Sequence, residues 1–486
     1  MLRKIRISLA WVFFIGITLL FLDFTGTLHT WLGWMAKIQF LPAVMALNTL
    51  VIIGLVLLTL VFGRIYCSVI CPLGVMQDLI AWIHGRWKKN RYNYSHELTW
   101  LRYPVLILFI ISIMAGIGSW VALLAPYSAY GRMVTMLLQP LYEMGNNILA
   151  AWAEHVDSYA FYTVDVWIRS LPALIVATVT FFVVATLAWR GGRTYCNTIC
   201  PVGTALSLLS RFSLLHITFN KEKCRNCSLC TKNCKAACID YKTHTVDDSR
   251  CVACGNCIDQ CRFGALKYTL RRRNHQSHQK SRRSFLVSSA LLATTVLAQD
   301  KKKVDGGLAV IKEKAIPERQ TPLTPPGSLS AQNMARRCTG CQLCVSDCPN
   351  EVLRPSSDLM KFMQPTMSFE RGYCRPECTR CSEVCPTGAI RPIDKVQKSA
   401  TQIGHAVWIK KNCIPLTDGV SCGNCARHCP TGAIEMVPSD PEDDASPYVP
   451  AVNEAVCIGC GACENLCPSR PYPAIYVEGH DVHREI

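Results

Sequence analysis

The sequence predicts two kinds of architecture in one chain: an α-helical membrane bundle, and small α+β domains built around cysteine clusters. Three observations carry this. Half of the 486 residues are hydrophobic, and the apolar ones gather in four long stretches in the N-terminal part. There are 29 cysteines, most of them in C-x2-C-x2-C-x3-C runs in the remainder. The formal charge of +17 is also uneven: residues 1–299 hold 30 Lys and Arg against 12 Asp and Glu, whereas residues 300–486 hold 21 against 22. Basic residues lying between apolar segments follow the positive-inside rule, so the excess charge reads as membrane topology and nucleic acid is not expected as a partner.

The apolar stretches at about 7–22, 44–62, 103–125 and 171–189 are long enough, or nearly so, to cross a bilayer and predict four transmembrane helices. Arg3, Lys4 and Arg6 precede the first, six basic residues from Arg64 to Arg102 separate the second from the third, and Arg190 and Arg193 follow the fourth. Both ends of the bundle and the 63–102 loop are therefore expected in the cytoplasm. Residues 126–170, with Pro126, Pro140 and scattered acids, are expected to form a periplasmic loop with short amphipathic helices.

One motif occurs twice, 129 residues apart: Gly63-Arg64-x-Tyr66-Cys67-x-x-Ile70-Cys71-Pro72-x-Gly74 and Gly192-Arg193-x-Tyr195-Cys196-x-x-Ile199-Cys200-Pro201-x-Gly203. Each copy follows an even-numbered helix, which predicts two homologous helix pairs about a pseudo-twofold axis in a membrane domain spanning 1–210. Cysteines four apart share a helical face, and a twofold would bring both pairs together. Cys67, Cys71, Cys196 and Cys200 can then bind a further iron–sulfur cluster, act as redox dithiols or simply pack.

Residues 211–270 carry Cys224, Cys227, Cys230, Cys234 and Cys251, Cys254, Cys257, Cys261. Such runs give three ligands to one cubane cluster and send the fourth cysteine to its neighbour, the bacterial ferredoxin arrangement. Cys238 competes with Cys234 as crossing ligand; the standard spacing favours Cys234 and leaves Cys238 spare. Residues 330–486 repeat the pattern. Cys338, Cys341, Cys344 and Cys348 pair with Cys374, Cys378, Cys381 and Cys385; Cys413, Cys422, Cys425 and Cys429 pair with Cys457, Cys460, Cys463 and Cys467. Irregularly spaced disulfides do not produce such runs, and repeated four-cysteine runs ending in Cys-Pro distinguish iron–sulfur clusters from zinc. Six [4Fe–4S] clusters follow, and the two repeated motifs allow a seventh. No C-x-x-C-H haem site and no G-x-G-x-x-G dinucleotide fingerprint is present.

Between the two cysteine-rich regions, Arg282-Arg283 introduces an apolar segment over 281–299 that reads as a twin-arginine export signal or a fifth membrane helix, followed by a linker over 300–329. If it crosses, two clusters lie in the cytoplasm and four in the periplasm, across a hydrocarbon layer of roughly 30 Å with no cysteine at its middle.

These motifs resemble two families. Residues 1–270 are similar to NapH-type membrane quinol dehydrogenases of periplasmic nitrate reductase systems, and residues 281–486 to NapG/MauM-type ferredoxins. Those are separate proteins, so their fusion is a departure. The resemblance implies a multi-pass protein of the bacterial inner membrane that takes electrons from the quinone pool and delivers them to a redox partner, a periplasmic reductase. The alternative is an electron donor in the maturation or regulation of another metalloenzyme, or a cytoplasm-facing polyferredoxin. For the quinol, Asp23 and His29, near Trp31 and Trp34 at the periplasmic end of the first helix, offer a proton acceptor. Asp23 can equally cap the helix end, and Gln77, Asp78 and His84 are the alternative on the cytoplasmic side.

Overall fold

The computed structural model describes residues 2–88, 92–155, 157, 161–270, 314–443 and 446–486; the twin-arginine segment and the first half of the 300–329 linker lie outside these. The principal helices are α1 (Leu2–Leu22), α2 (Thr49–Phe62), α3 (Pro72–Trp87), α4 (Thr99–Ala115), α5 (Gly118–Leu124), α6 (Pro126–Met133), α7 (Gln139–Glu154), α8 (Leu171–Gly191) and α9 (Pro201–Ser210). Helices α1 and α8 are long and apolar enough to cross a membrane.

The second and third apolar stretches are divided. Chain reversal at Leu47, with φ of 54°, precedes α2, whose Asn48 cap accepts the Val51 amide and which has 14 residues. Gly116, left-handed at φ 73°, ends the 17-residue α4. All four of α1, α2, α4 and α8 expose large apolar side chains, among them Leu9, Ile53, Ile110 and Val179.

The stretch beyond Pro126 is divided: residues 126–136 are buried in the bundle, whereas α7 and residues 161–166 stay largely exposed or half-buried, in keeping with the expected loop with short helices. Every residue of α6 is buried, and the Tyr130 hydroxyl shares a 2.6 Å hydrogen bond with Thr18 in the C-terminal part of α1. Small residues permit this: Ser128 and Ala129 are buried, and a Cβ on Gly131 would strike Phe21 and the Cys341 carbonyl. Between α5 and α6 the chain bends by 77°, the geometry of a broken span or of a re-entrant loop.

The first cysteine domain is closed by β1 (Leu215–Phe219) and β2 (Leu266–Leu270), antiparallel from Leu215↔Leu270 to Phe219↔Leu266. In the second, β3 (Thr401–Trp408), β4 (Ile434–Pro438), β5 (Tyr448–Val452) and β6 (Ile475–Glu485) form two antiparallel pairs, β3 with β6 and β4 with β5. Residues 314–329, expected to be linker, belong to this domain. Leu323 is fully buried, and Arg319 pairs with Glu464 at 2.5 Å.

The two cysteine domains sit at opposite ends of the bundle. Arg3 of α1 pairs with Asp259 at 3.0 Å, while the turn after α1 packs Gly26 against Arg380. At that second end Arg169 donates to the Val345 carbonyl at 2.9 Å, Trp167 lies beneath the guanidiniums of Arg354 and Arg371, and Met363 inserts among Ala122, Met136, Ala173 and Ala177.

Candidate metal centres and the contacts between them

In four of the C-x2-C-x2-C runs the residues on either side of the middle cysteine take positive φ: Asn226 and Ser228, Ala253 and Gly255, Gly340 and Gln342, Gly459 and Gly461. This curls each loop so that successive amides face inward, the backbone concavity that suits an anionic iron–sulfur group. Amide-to-sulfur contacts follow, from Asn226 to Cys224 at 3.4 Å, Gly340 to Cys338 at 3.4 Å, Ala265 to Cys261 at 3.3 Å and Ala474 to Cys467 at 3.2 Å. Such donors orient ligands and tune potential.

Three cavities of about 20–30 Å³ are each lined by four cysteines: Cys224, Cys227 and Cys230 with Cys261; Cys374, Cys378 and Cys381 with Cys348; Cys413, Cys422 and Cys425 with Cys467. In each the fourth cysteine comes from the other run, as ferredoxin ligation requires. Cys385 likewise faces Cys338, Cys341 and Cys344, and Cys429 faces Cys457 and Cys460. Cys251, Cys254 and Cys257 have both Cys234 and Cys238 nearby, with the latter two sulfurs 3.5 Å apart. Among the described residues no three His, Cys, Asp or Glu side chains close around a single metal ion.

The sets adjoin one another. The Cys374 amide donates to the Cys460 carbonyl at 2.9 Å, and Cys463 lies within electrostatic range of Cys425. The C-terminal domain thus runs from the Cys338 set through those of Cys374 and Cys457 to that of Cys413.

The repeated motifs meet at the end of the bundle next to the first cysteine domain. Cys67, Cys71, Cys196 and Cys200 are all buried and within electrostatic range of one another. Each motif's arginine reaches across to the other motif: Arg193 donates to the Cys67 carbonyl at 2.5 Å and Arg64 to the Cys196 carbonyl at 3.1 Å. The motif glycines make room for this. A Cβ on Gly74 would run into the Cys67 carbonyl and Arg193, and one on Gly203 into the Cys196 carbonyl and Arg64. Sulfur receives hydrogen bonds here too, from Gln77 to Cys196 at 3.2 Å and from the Gly203 amide to Cys200 at 3.3 Å. Arg64 is fully buried and among the described residues makes no ion pair with a carboxylate; its Nη2 stands 3.9 Å from the Cys67 sulfur. A buried guanidinium needs a compensating negative charge, which the four cysteines would supply if they were ionised.

These arginines also hold the first cysteine domain. Arg64 donates to the Ser249 carbonyl, the Arg193 amide donates to the Lys235 carbonyl, and Asn197 donates to the Ala236 carbonyl, next to Cys251 and Cys234. Asp78 completes the junction, pairing with Arg193 at 2.6 Å, Lys235 at 2.5 Å and Arg6 at 3.3 Å. Burial alone would push its carboxyl up; the charges of Arg193 and Lys235, the Arg193 hydrogen bond and Arg6 outweigh that and hold it well below the ordinary carboxylate range.

Toward the opposite end, the Tyr195 hydroxyl faces the Leu124 carbonyl at 3.5 Å, and Tyr127, three residues on, packs on Phe21 and lies within electrostatic range of Cys341 and Cys385. Arg6 and Phe21 mark the two levels on α1, about 22 Å apart at 1.5 Å per residue. The α5–α6 segment thus lies between Tyr195 of the second motif and the Cys341 set.

Asp23 acts as a cap: its Oδ1 accepts from the amides of Thr25 and Gly26 and the Thr25 hydroxyl, and its Oδ2 from the Leu28 amide. His29 lies in the same turn, its ring against Gly33. Of the alternatives, Gln77 donates to Cys196 and Asp78 pairs with Arg193 beside the four cysteines, while His84 stacks on Trp189 at 4.3 Å. The sequence places Arg64 and Arg193 in the repeated motif without assigning them a site role; their recurrence in register with the cysteines is the signal of one.

The 4Fe-4S binding domain family matches residues 44–90 and again 171–220, and 4Fe-4S dicluster domain families match residues 337–399, 420–470 and 247–352. The chain is 32% identical over 166 residues to the methylamine utilization ferredoxin-type protein MauM of Methylobacillus flagellatus, covering 33% of this chain and 70% of MauM. It is 25% identical over 240 residues to the ferredoxin-type protein NapH of Escherichia coli, covering 48% and 70%. With the putative electron transport protein YccM of Escherichia coli it shares 24% over 262 residues, covering 53% of this chain and 64% of YccM, slightly under two thirds of that relative's length. No solved structure matches the chain. With cysteine sets arranged for cubane ligation and this similarity to MauM and NapH, the chain belongs to the NapH/MauM family of ferredoxin-type proteins and transfers electrons by several [4Fe–4S] clusters.

Proposed function

We propose that this chain is a multi-pass membrane protein that oxidises quinol and conducts the electrons from one end of its bundle to the other, to a redox partner of the periplasmic reductase type. Seven cysteine sets would hold the groups: those of Cys224, Cys251, Cys338, Cys374, Cys413 and Cys457 with their crossing ligands, and the set of Cys67, Cys71, Cys196 and Cys200. When bound, [4Fe–4S] clusters supply one-electron transfer without making or breaking bonds to the substrate.

The observation that carries this reading is the succession of neighbouring groups from one cysteine domain to the other. It runs from Cys254 and Lys235, through Arg193 to Cys67 and Cys196, then by Tyr195, Leu124 and Tyr127 to Cys341. The protein's own residues close the distance between sets, compensate their charge with buried arginines and exclude water. The exposed apolar faces of α1, α2, α4 and α8 support burial of all four in lipid, since so continuous an apolar surface would aggregate in water. The reciprocal arginine clamps support a pseudo-twofold repeat.

Two measurements test the proposal together. Iron analysis should give roughly 28 atoms per chain, against roughly 24 if the four-cysteine centre is empty. Added quinol should then reduce the C-terminal clusters, and Cys67→Ser with Cys196→Ser should stop that while dithionite still reduces the other sets. Iron near eight atoms, or stoichiometric zinc, would rule the reading out.

A further inference from the structure

We infer that the quinone ring binds in a cavity between α1, α3 and the first cysteine domain, at the end of the bundle opposite Asp23 and His29. This rests on the quinol reading above and gives it a place. The cavity has a volume of about 640 Å³, within the roughly 300–1,000 Å³ of pockets that hold small molecules.

Its walls differ in character. Trp11 of α1 and Leu79 and Trp82 of α3 form an apolar side. Trp11 and Trp82 line the cavity while remaining 42% and 55% exposed, so an apolar tail can leave it along them. The floor is Asp78 with Arg6 and Lys235, both cations more than nine-tenths buried, and with Arg193 behind them. Arg6 keeps a buried Nε without a partner.

Three cations facing one carboxylate leave the floor positive. Opposite charge favours the ionised form of an acid, so a quinol hydroxyl held here loses its proton more readily, and the resulting anion gives up electrons more easily. Quinol oxidation releases two protons and two electrons; the protons leave to water, and the electrons pass singly to the iron–sulfur groups on either side of the floor. Both sides are within reach: Lys235 lies in electrostatic contact with Cys254, and Arg193 donates to the Cys67 carbonyl. Asp23, by contrast, spends both oxygens on its own turn.

The test uses the purified full chain with its clusters and a short-tailed ubiquinone and naphthoquinone as probes. Binding is read from quenching of tryptophan fluorescence, electron entry from visible bleaching of the clusters by the corresponding quinols. Leu79→Trp narrows the cavity, and Ala10→Phe fills it from the opposite wall should the first fail to assemble; iron content identifies an assembled variant. We expect quinone binding weakened at least tenfold and quinol-driven bleaching lost, with dithionite bleaching unchanged. Wild-type binding in both variants, or loss on Asp23→Asn instead, overturns the location and leaves the quinol reading intact. Loss of a co-purified anionic phospholipid from Leu79→Trp with quinone binding unaltered also overturns it, making the cavity a lipid site. A wild-type protein that neither binds quinone nor accepts electrons from quinol refutes the underlying reading itself.

Discussion

Replacing Asp78 by Asn removes the carboxylate that faces three cations at the junction of the bundle and the first cysteine domain. Arg193 and Lys235 approach it at 2.6 and 2.5 Å, and Arg6 at 3.3 Å; the exposure of these three side chains is 0%, 8% and 8%. Deleting one partner of a buried pair costs about 3–5 kcal/mol, because the opposite charge stays desolvated. The asparagine side chain still accepts a hydrogen bond from Arg193, which places the loss near the lower figure, about 3 kcal/mol. For a unit of this size that lowers Tm by about 6–12 °C. The pH dependence has a definite sign. The Asp78 carboxyl lies below its unfolded value, so its contribution is complete above about pH 4 and fades as the pH falls further. Thermal unfolding of the detergent-purified protein, followed by cluster absorbance, measures both effects. Lys235→Met combined with Asp78→Asn should recover part of the loss, since it removes one of the stranded cations. If Asp78→Asn unfolds at the wild-type temperature, or the double variant is worse than the two single changes combined, the junction is not held by this ion-pair cluster.

Gly74→Ala and Gly203→Ala should each lower iron content by about four atoms, because a Cβ would strike the cysteine carbonyl that the opposite arginine clamps. Cys385→Ser should perturb the EPR signal of the set containing Cys338, Cys341 and Cys344, and leave that of Cys374, Cys378 and Cys381 in place. Arg64→Met should cost the four-cysteine centre its iron while leaving the C-terminal sets filled; full iron content would show that the guanidinium charge is not needed there. His483, which shares a 3.0 Å hydrogen bond with Thr324, is pushed down to about 4 by burial and by His480. The folded domain therefore prefers the neutral ring. Its contribution is complete above about pH 6.5 and is lost as the pH falls toward 4, which proteolysis of the 314–329 segment would report.

Cysteine spacing is a local property, so the candidate ligand runs stand in the sequence itself, and the fold gathers three of them, each with a crossing cysteine, around one cavity each. The repeat was legible for the same reason, since Gly63-Arg64 and Gly192-Arg193 stand in register with their cysteine pairs. Apolar length located α1 and α8. It does not show where an apolar stretch breaks or bends inside the bundle, as between α5 and α6. The burial of α6 depends on Tyr130 meeting Thr18 and Gly131 meeting Phe21, contacts that join residues more than one hundred positions apart.

What the sequence alone determined was the chemistry: cubane ligand sets, apolar helices and the paired motifs. What only the tertiary structure decided was adjacency. The sequence predicts a periplasmic loop with short amphipathic helices for residues 126–170, and the fold departs from this over residues 126–136, which are buried. The fold draws α5 and α6 inward, so that Leu124 meets Tyr195 at one end and Tyr127 reaches Cys341 at the other. It also turns the two motif arginines into clamps on the opposite motif. The physical reason is that electron transfer and buried charge depend on distances between segments remote in sequence, and packing sets those distances.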